Sequence, residues 1–139
     1  LGLAGVRLGY MVGRADVIAE LDKVRPPYNI NVLTEAAVTF VLQHAYVFEQ
    51  QAAQIRATRS ELLATLRAMP QLQVFDSDAN FVLVRFNDAD ADAAFEGLKS
   101  RGVLVKNMSR AHPLLKNCLR LTVGSVDENQ KLVDAIRAL

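Results

Sequence analysis

The sequence contains few of the residues that build disulfide frameworks and metal centres: one cysteine and two histidines among 139 residues. A single cysteine, Cys118, cannot form an internal disulfide, which is typical of a reducing compartment. Its apolar neighbours indicate a small buried residue and not a nucleophile. His44 and His112 lie far apart, with no cysteine or carboxylate at ligand spacing. We therefore expect no metal site.

Long hydrophobic runs and an excess of one charge are also missing. No apolar run approaches the ~20 residues that cross a bilayer. Residues 1–10 lack the basic start and small-residue cleavage site of a signal peptide. The net charge is only +1, with 16 basic residues mixed among 15 acidic ones, which gives no strong field for nucleic acid or an anionic membrane. We expect a cytoplasmic protein that binds neither.

The sequence has a high apolar content: 51% of the residues are hydrophobic and 22% are charged, which is typical of a globular chain. The glycine-spaced run at residues 3–12 predicts a short strand, or a tight turn that leads into one. Helical spacing begins at Asp16 and stops at Pro26-Pro27, and PPYNIN should form an extended connector. A second helix is predicted over about 32–44.

The third predicted helix is the longest, from 46 to 69, about 35 Å in length. Strands are predicted over 72–75, 81–86, 103–105 and 119–123. Between them, a helix over 90–101 would be capped by Asp88 or Asp90 and stopped by Gly102. Ser125 and Glu128 have the spacing of a capping box at the start of a final helix.

These patterns predict an α/β and α+β fold in three parts. Residues 1–45 would be the C-terminal end of a larger α/β body, 46–69 a connecting helix, and 70–139 a small α+β domain. In the last part, three or four strands would carry helices on one face. The first part cannot hide its own apolar side chains, such as Leu1, Leu3 and Val12. We expect a partner surface on its N-terminal side.

Five motifs, in order, carry a resemblance that spans essentially the whole chain: GLAGVRLGY, RPPYNIN, SDANFVLVRF, GVLVKN and CLRLTVGSVDEN. Together they resemble the C-terminal portion of the histidinol-phosphate aminotransferases, fold-type I enzymes that use pyridoxal 5'-phosphate (PLP). In that family, the lysine that forms a Schiff base with the cofactor stands just before Gly-Leu-Ala-Gly-x-Arg. The resemblance places this lysine immediately before Leu1.

Arg7 is the candidate cofactor-binding residue. It lies between Val6 and Leu8, so it reads as a buried or half-buried cation that needs an anion, although a solvent-facing arginine fits the pattern equally well. A guanidinium can bind a phosphate group with two hydrogen bonds. The resemblance favours a contact from Arg7 to the PLP phosphate.

Three further residues are candidates for substrate binding. By resemblance, Arg120 holds the substrate α-carboxylate, while Tyr28 and Lys106 contact the substrate phosphate. Arg120 and Tyr28 each also have an ordinary interpretation: an outward position on an edge strand and a loop anchor. Lys106 stands where the family often has arginine, and it supplies a point charge and not a planar fork. Arg85 has the same local pattern as Arg120 but no role that the resemblance assigns.

The resemblance implies a homodimeric transferase of amino-acid biosynthesis that acts in the histidine pathway on small phosphorylated substrates. Without the cofactor lysine, this segment alone should be inactive, and none of its own residues is expected to be catalytic. Alternatives are an aromatic aminotransferase, a phosphothreonine decarboxylase, or a non-catalytic domain for ligand sensing or dimerisation. An unrelated α+β domain is a further alternative.

Overall fold

The computed structural model describes residues 3–87 and 90–139. These residues form helices α1 (Ala15–Asp22), α2 (Val32–Gln43), α3 (Ala45–Arg67), α4 (Ala91–Ser100) and α5 (Val126–Arg137). The strands are β1 (Leu72–Val74), β2 (Phe81–Phe86), β3 (Lys106–Asn107) and β4 (Cys118–Thr122). Two short 3-10 turns cover Ala4–Val6 and Pro113–Leu115. The candidate cap Asp88 and the apolar Leu1 lie outside the described residues.

The chain divides into two units, Leu1–Gln50 and Gln51–Leu139, and each is described by itself. The long helix α3 forms where periodicity predicts one, and it ends shortly before Pro70. The predicted domain bounds at residues 45 and 69 stay a prediction.

The first unit contains α1, α2 and the N-terminal 3-10 turn. Asn31 caps α2 by accepting a hydrogen bond from the Thr34 backbone N–H at 2.9 Å. The Thr34 hydroxyl in turn donates to the Val6 carbonyl at 3.2 Å, which ties the turn to α2. The prediction of a strand within residues 3–12 is wrong, because no neighbouring strand is present among the described residues to pair with it. Pro27 and Tyr28 form a turn, so an extended connector is also wrong there.

The described residues of the first unit include no fully buried side chain. Tyr10 and Val12 are 93% and 85% exposed, and Leu33 on α2 is 82% exposed. An apolar groove of about 890 Å³ runs between the N-terminal turn and α2. Since burial of apolar surface is the main stabilising term of a fold, this unit has no core of its own.

The second unit is built on a four-stranded antiparallel sheet with the order β1-β2-β4-β3. The expected count of three or four strands is therefore confirmed. The predicted strand over 103–105 is wrong, since the edge strand forms later, at Lys106–Asn107. Gly102 has a φ of +75°, and the backbone leaves the helix there before it reaches pairing distance of β4. Val103 and Val105 instead pack against the core.

Helices cover one face of this sheet, as predicted. Val82, Val84, Leu119 and Leu121 point to the covered face and are fully buried. The helices contribute side chains that share this core, namely Leu62 and Leu66 of α3, Ala94 and Leu98 of α4, and Leu132, Val133 and Ile136 of α5. The core thus sits between one sheet face and three helix faces, and the opposite sheet face is free to carry polar groups.

Local signals at the helix ends act as the sequence predicts. Asp90 caps α4 by accepting from the Asp92 backbone N–H at 3.1 Å. At the start of α5, the Ser125 hydroxyl accepts from the Glu128 N–H and the Glu128 carboxylate accepts from the Ser125 N–H. The capping box is therefore confirmed. Hydrogen bonds to the Glu128 carboxylate from the Ser125 N–H and hydroxyl lower the pKa of Glu128 below its ordinary value.

In the parts of the chain that the structure describes, no helix has both the length and the apolar character that a membrane span requires.

Candidate functional site

The uncovered face of the sheet carries the candidate substrate-binding residues of the second unit. Side chains alternate between the two faces of a strand, so the residues adjacent in sequence to the buried ones lie on this second face. Phe81, Leu83 and Arg85 of β2 lie on it, opposite Thr122, Arg120 and Cys118 of β4.

Arg120 and Lys106 are direct neighbours on this face. Lys106 of β3 is the register partner of Arg120, and Arg120 is also the partner of Leu83. Directly opposed residues of an antiparallel pair have Cβ atoms about 5 Å apart, on the same face. Like charges on directly opposed residues are unfavourable unless an anion is bound beside them. Strand pairing has therefore brought together two of the four candidates.

The Arg120 guanidinium is held in position by an aromatic ring. Its central carbon lies 5.2 Å from the centre of the Phe81 ring, a cation–π contact. Arg120 is half-buried and Lys106 is exposed. Among the described residues, no carboxylate lies within 4.0 Å of either cation. Both side chains are therefore available to an anionic ligand.

Arg85 lies on the same face, but each of its three guanidinium nitrogens donates to the protein. Its Nε donates to the Lys116 carbonyl, and its two terminal nitrogens donate to Gln73 and to the Leu114 carbonyl, all at 2.7–3.1 Å. These bonds fix the backbone of Leu114 and Lys116, and the Lys116 carbonyl also accepts from the Cys118 thiol at 3.6 Å. Cys118 is completely buried, as expected. The structure thus separates two arginines that the sequence pattern could not distinguish: Arg85 is structural and Arg120 is free to bind.

The short strand β3, which carries Lys106, is anchored to α4 by Asp92. Its carboxylate accepts from Asn107 at 2.6 Å and from Arg110 at 2.9 Å. The hydrogen bond and charge of Arg110, together with the Asn107 bond, lower the pKa of Asp92 below its ordinary value. The same contact raises the pKa of Arg110. Asp92 therefore stabilises the folded state in its ionised form.

The Asp92 contact predicts an acid-sensitive contribution to stability. Because the folded pKa is lowered, the contribution is present above the unfolded value near 4 and is lost as pH falls through the folded value. We expect Asp92→Asn to be less stable than the parent at pH 7, and the difference to shrink as pH falls below the ordinary pKa of aspartate. Urea denaturation of both proteins across this range measures it. Glu61→Gln, at an exposed α3 position with no ion pair among the described residues, is the matched control. A difference that stays constant with pH would contradict the assignment.

Arg7 lies in the first unit and is exposed, so the interpretation of a buried or half-buried cation is wrong. It ends the 3-10 turn with a φ of +57°, and its backbone N–H donates to the Ala4 carbonyl. Gly5 and Gly9 beside it offer no side chains to cover it. No carboxylate of the described residues lies within 4.0 Å of its guanidinium, so its donors remain open to an anion such as a phosphate.

Tyr28 also lies in the first unit, in the turn after Pro26-Pro27, and is 95% exposed. Neither its hydroxyl nor its ring has a partner among the described residues. It does not anchor the loop within this chain. Its contact with a substrate phosphate stays a prediction.

Two residues of the site were missed in the sequence. Phe81 supports the Arg120 guanidinium, but alternation alone could not show which residues of β4 it faces. Arg59 of α3 contacts the loop before Phe81. A signal for Arg59 was present, since it falls three residues before Leu62 and seven before Leu66, on the apolar stripe of the helix.

No cluster of histidine, cysteine or carboxylate side chains suited to a metal ion occurs within residues 3–87 and 90–139. The site on the sheet face is therefore described by its two cations, an aromatic ring and the hydrogen bonds that hold them.

The chain is similar to curated histidinol-phosphate aminotransferases over nearly its whole length. It is 59% identical to that of Acidovorax sp. (strain JS42) over 138 residues, which cover 99% of this chain and 37% of the relative. It is 58% identical to that of Chromobacterium violaceum over 137 residues, which cover 99% of this chain and 38% of the relative. The chain thus spans little more than a third of the length of these relatives.

Solved structures share the fold. The histidinol-phosphate aminotransferase of Clostridium acetobutylicum matches with a TM-score of 0.78 at 21% identity, over 88% of this chain and 37% of that one. The L-threonine-O-3-phosphate decarboxylase of Porphyromonas gingivalis matches with a TM-score of 0.85 at 22% identity, over 99% and 42%. At these identities the likeness concerns the fold alone. The mixed α/β fold is therefore that of the C-terminal portion of fold-type I enzymes.

A family model provides the assignment that these likenesses share. The model of aminotransferase class I and II matches residues 1–136, almost the entire chain. The alternative of an unrelated α+β domain is excluded by this match. The chain belongs to the class I and II aminotransferase family.

Proposed function

We propose that the protein containing this chain transfers an amino group between histidinol phosphate and 2-oxoglutarate. Curated relatives at 54–59% identity carry the name of that activity. The observation that supports the proposal most directly is the pairing of Arg120 with Lys106 on one sheet face, where no carboxylate of the described residues lies within 4.0 Å of either cation. Two adjacent, unneutralised cations are suited to small anionic substrates.

The chemistry of the two substrates suits this pair. Glutamate and 2-oxoglutarate carry a carboxylate on the carbon that bears the nitrogen or the carbonyl oxygen. In histidinol phosphate that position holds a CH₂–O–phosphate, a longer group with more negative charge. Arg120 can hold the carboxylate through two parallel hydrogen bonds. Lys106, one strand farther out, adds a charge for the phosphate. From the family resemblance, Tyr28 is proposed to donate its hydroxyl to a substrate phosphate.

Membership of the family implies PLP for the parent enzyme, and Arg7 has the donor chemistry to hold its phosphate. Arg7 is exposed, has no carboxylate partner among the described residues, and presents a guanidinium that does not lose its charge. When bound, the cofactor supplies an electron sink for reactions at the carbon next to the substrate amine. Arg120 orients the substrate by its carboxylate, which lowers the entropy cost of the reaction.

The remaining parts of the proposal concern the whole protein. The lysine that carries the cofactor is expected just before Leu1, so this segment alone is proposed to be inactive. A homodimer in the cytoplasm is proposed from the family resemblance. The exposed apolar side chains of the first unit are consistent with a surface covered in the complete protein.

The KM values of a Lys106→Met variant for its two substrates test whether Lys106 binds the substrate phosphate. In the full-length protein, we expect this variant to raise KM for histidinol phosphate about 10-fold and to leave KM for 2-oxoglutarate within about 2-fold. The loss of one charge-assisted hydrogen bond, about 1.5 kcal/mol, sets this magnitude. Steady-state kinetics of each half of the reaction provide the measurement. Lys116→Met, at an exposed lysine nearby in the chain, is the matched control.

The outcomes distinguish the remaining functions. Equal KM changes for phosphorylated and unphosphorylated donors would remove the phosphate role of Lys106 and favour an aromatic aminotransferase. Release of CO₂ from phosphothreonine would identify a decarboxylase. Binding of ligand with no turnover of any donor would indicate a sensing or dimerisation domain.

A further inference from the structure

Arg59 is a cation of the second unit that lies outside the sheet-face site and is largely buried. Its side chain is 12% exposed, and a terminal nitrogen donates to the Ala79 carbonyl at 3.0 Å. A terminal nitrogen also lies 3.6 Å from the carboxylate of Asp78, which is fully exposed to solvent. Its Nε is buried and has no acceptor among the described residues.

This arrangement is costly for an ordinary helix position. Burying a guanidinium removes its hydration, and a buried N–H without an acceptor adds to that cost. The position lies on the apolar stripe of α3, where a leucine or methionine would pack without either penalty. The only direct hydrogen bond that the guanidinium makes in the described structure is to the backbone of the loop before β2. The structural effect of Arg59 is therefore on that loop.

This loop leads directly to Phe81, whose ring contacts the Arg120 guanidinium. The Ser77 hydroxyl accepts from the Ala79 N–H and donates to the Phe81 carbonyl at 2.5 Å. The carbonyl of Asn80 accepts from the Val123 N–H at 2.9 Å. The next residue, Phe81, places its ring 5.2 Å from the Arg120 guanidinium carbon. Arg59 thus fixes the backbone two residues before that ring.

We propose that Arg59 is a positioning residue: it holds the Ala79 backbone so that Phe81 keeps the Arg120 guanidinium in the orientation that binds a carboxylate. The inference rests on the proposed function of Arg120 and adds a residue to it. A guanidinium that binds two carboxylate oxygens needs a fixed plane, so small shifts of its supporting ring weaken binding. Arg59 itself touches neither substrate nor cofactor in this proposal.

The test uses the full-length holoenzyme with glutamate and 2-oxoglutarate as probes. We expect Arg59→Met to raise KM for both about 10-fold while kcat changes less than about 3-fold, because carboxylate binding is weakened. Arg59→Lys, which can still donate to the Ala79 carbonyl, should restore KM to within about 3-fold of the parent. A general loss of stability would not produce a split between KM and kcat with rescue by lysine.

The matched control is Arg67→Met. Arg67 lies on the same helix and pairs with Asp76 at the far end of the same loop, on the surface. We expect its KM values to equal those of the parent. If Arg59→Met also leaves them unchanged while Arg120→Met raises them, this inference fails and the role of Arg120 stands. If Arg120→Met leaves them unchanged, the proposed function of that residue fails.

Ser77→Ala provides a second route, because Arg59→Met removes a partly buried side chain and could prevent folding. This small change removes the hydroxyl that braces Ala79 against Phe81. We expect the same rise in KM with little change in kcat. Parent-like KM values for Ser77→Ala would overturn the proposal that this loop controls Arg120.

Discussion

Replacing Arg120 with methionine is expected to lower kcat/KM of the full-length protein about 1000-fold for glutamate and for 2-oxoglutarate. The variant loses the paired hydrogen bonds to the carboxylate and the orientation they impose, about 4 kcal/mol together. Arg120→Lys should lose less, about 100-fold, because lysine keeps the charge but has no planar fork. Steady-state kinetics of both half-reactions provide the measurement.

Arg85→Met is the control for this prediction. Arg85 lies on the same face, but its donors are used by Gln73 and by the carbonyls of Leu114 and Lys116. We expect kcat/KM to stay within about 3-fold, and the free energy of unfolding to fall by about 1–2 kcal/mol. Equal kinetic losses in the two variants would mean that the whole face, and not Arg120, is responsible. A loss below 10-fold in Arg120→Met would contradict carboxylate binding by this residue.

A fragment of residues 45–139 is expected to unfold in a single cooperative transition, whereas a fragment of residues 3–44 should show none. All side chains that are buried in the described structure lie between Thr58 and Ile136. A core of this kind produces cooperative unfolding, and helices without one are marginal in water. Circular dichroism during urea denaturation of the two fragments provides the measurement.

Leu66→Ala in the longer fragment verifies that the transition reports this core. Leu66 is completely buried, so its truncation should lower the free energy of unfolding by about 3–5 kcal/mol. Leu104→Ala, at a residue that is 81% exposed, should change it by less than about 0.5 kcal/mol. A cooperative transition in the fragment of residues 3–44 would contradict the absence of a core from the first unit.

Elements with strong local signals could be predicted from the sequence. Phe81–Phe86 is rich in aromatic and β-branched residues, and that strand forms with the predicted bounds. The Ser125–Glu128 capping box and the stop at Gly102 depend only on neighbouring residues, so tertiary structure does not change them. The long helix α3 was recognisable for the same reason, since its apolar stripe continues over several turns.

Features that depend on pairing between distant segments could not be predicted. The edge strand forms at Lys106–Asn107, and not at 103–105, because its position follows the register with β4. The same register places Lys106 beside Arg120. The resemblance identified both residues as candidates, but the sequence did not predict that they are register partners. The difference between Arg85 and Arg120 likewise rests on acceptors some 30 residues away in the chain.

The exposure of Arg7 illustrates a different limit. Its apolar neighbours indicate burial, but in this chain the turn that holds it has no second layer of side chains against it. Apolar neighbours indicate that a segment tends to be buried. Burial itself occurs only where another surface packs against that segment. The proposed phosphate role of Arg7 therefore rests on the resemblance and on a guanidinium that has no carboxylate partner among the described residues.

The small size of the outer strands has a consequence for behaviour at high concentration. With three residues in β1 and two in β3, the sheet exposes few unpaired backbone groups at its edges. A neighbouring molecule that adds a strand there would gain few hydrogen bonds, and at β3 it would meet the positive charge of Lys106. The longer strands β2 and β4, which could template such growth, are enclosed on both sides. The sheet is thus protected against edge-to-edge aggregation by the same lysine that is proposed to bind substrate.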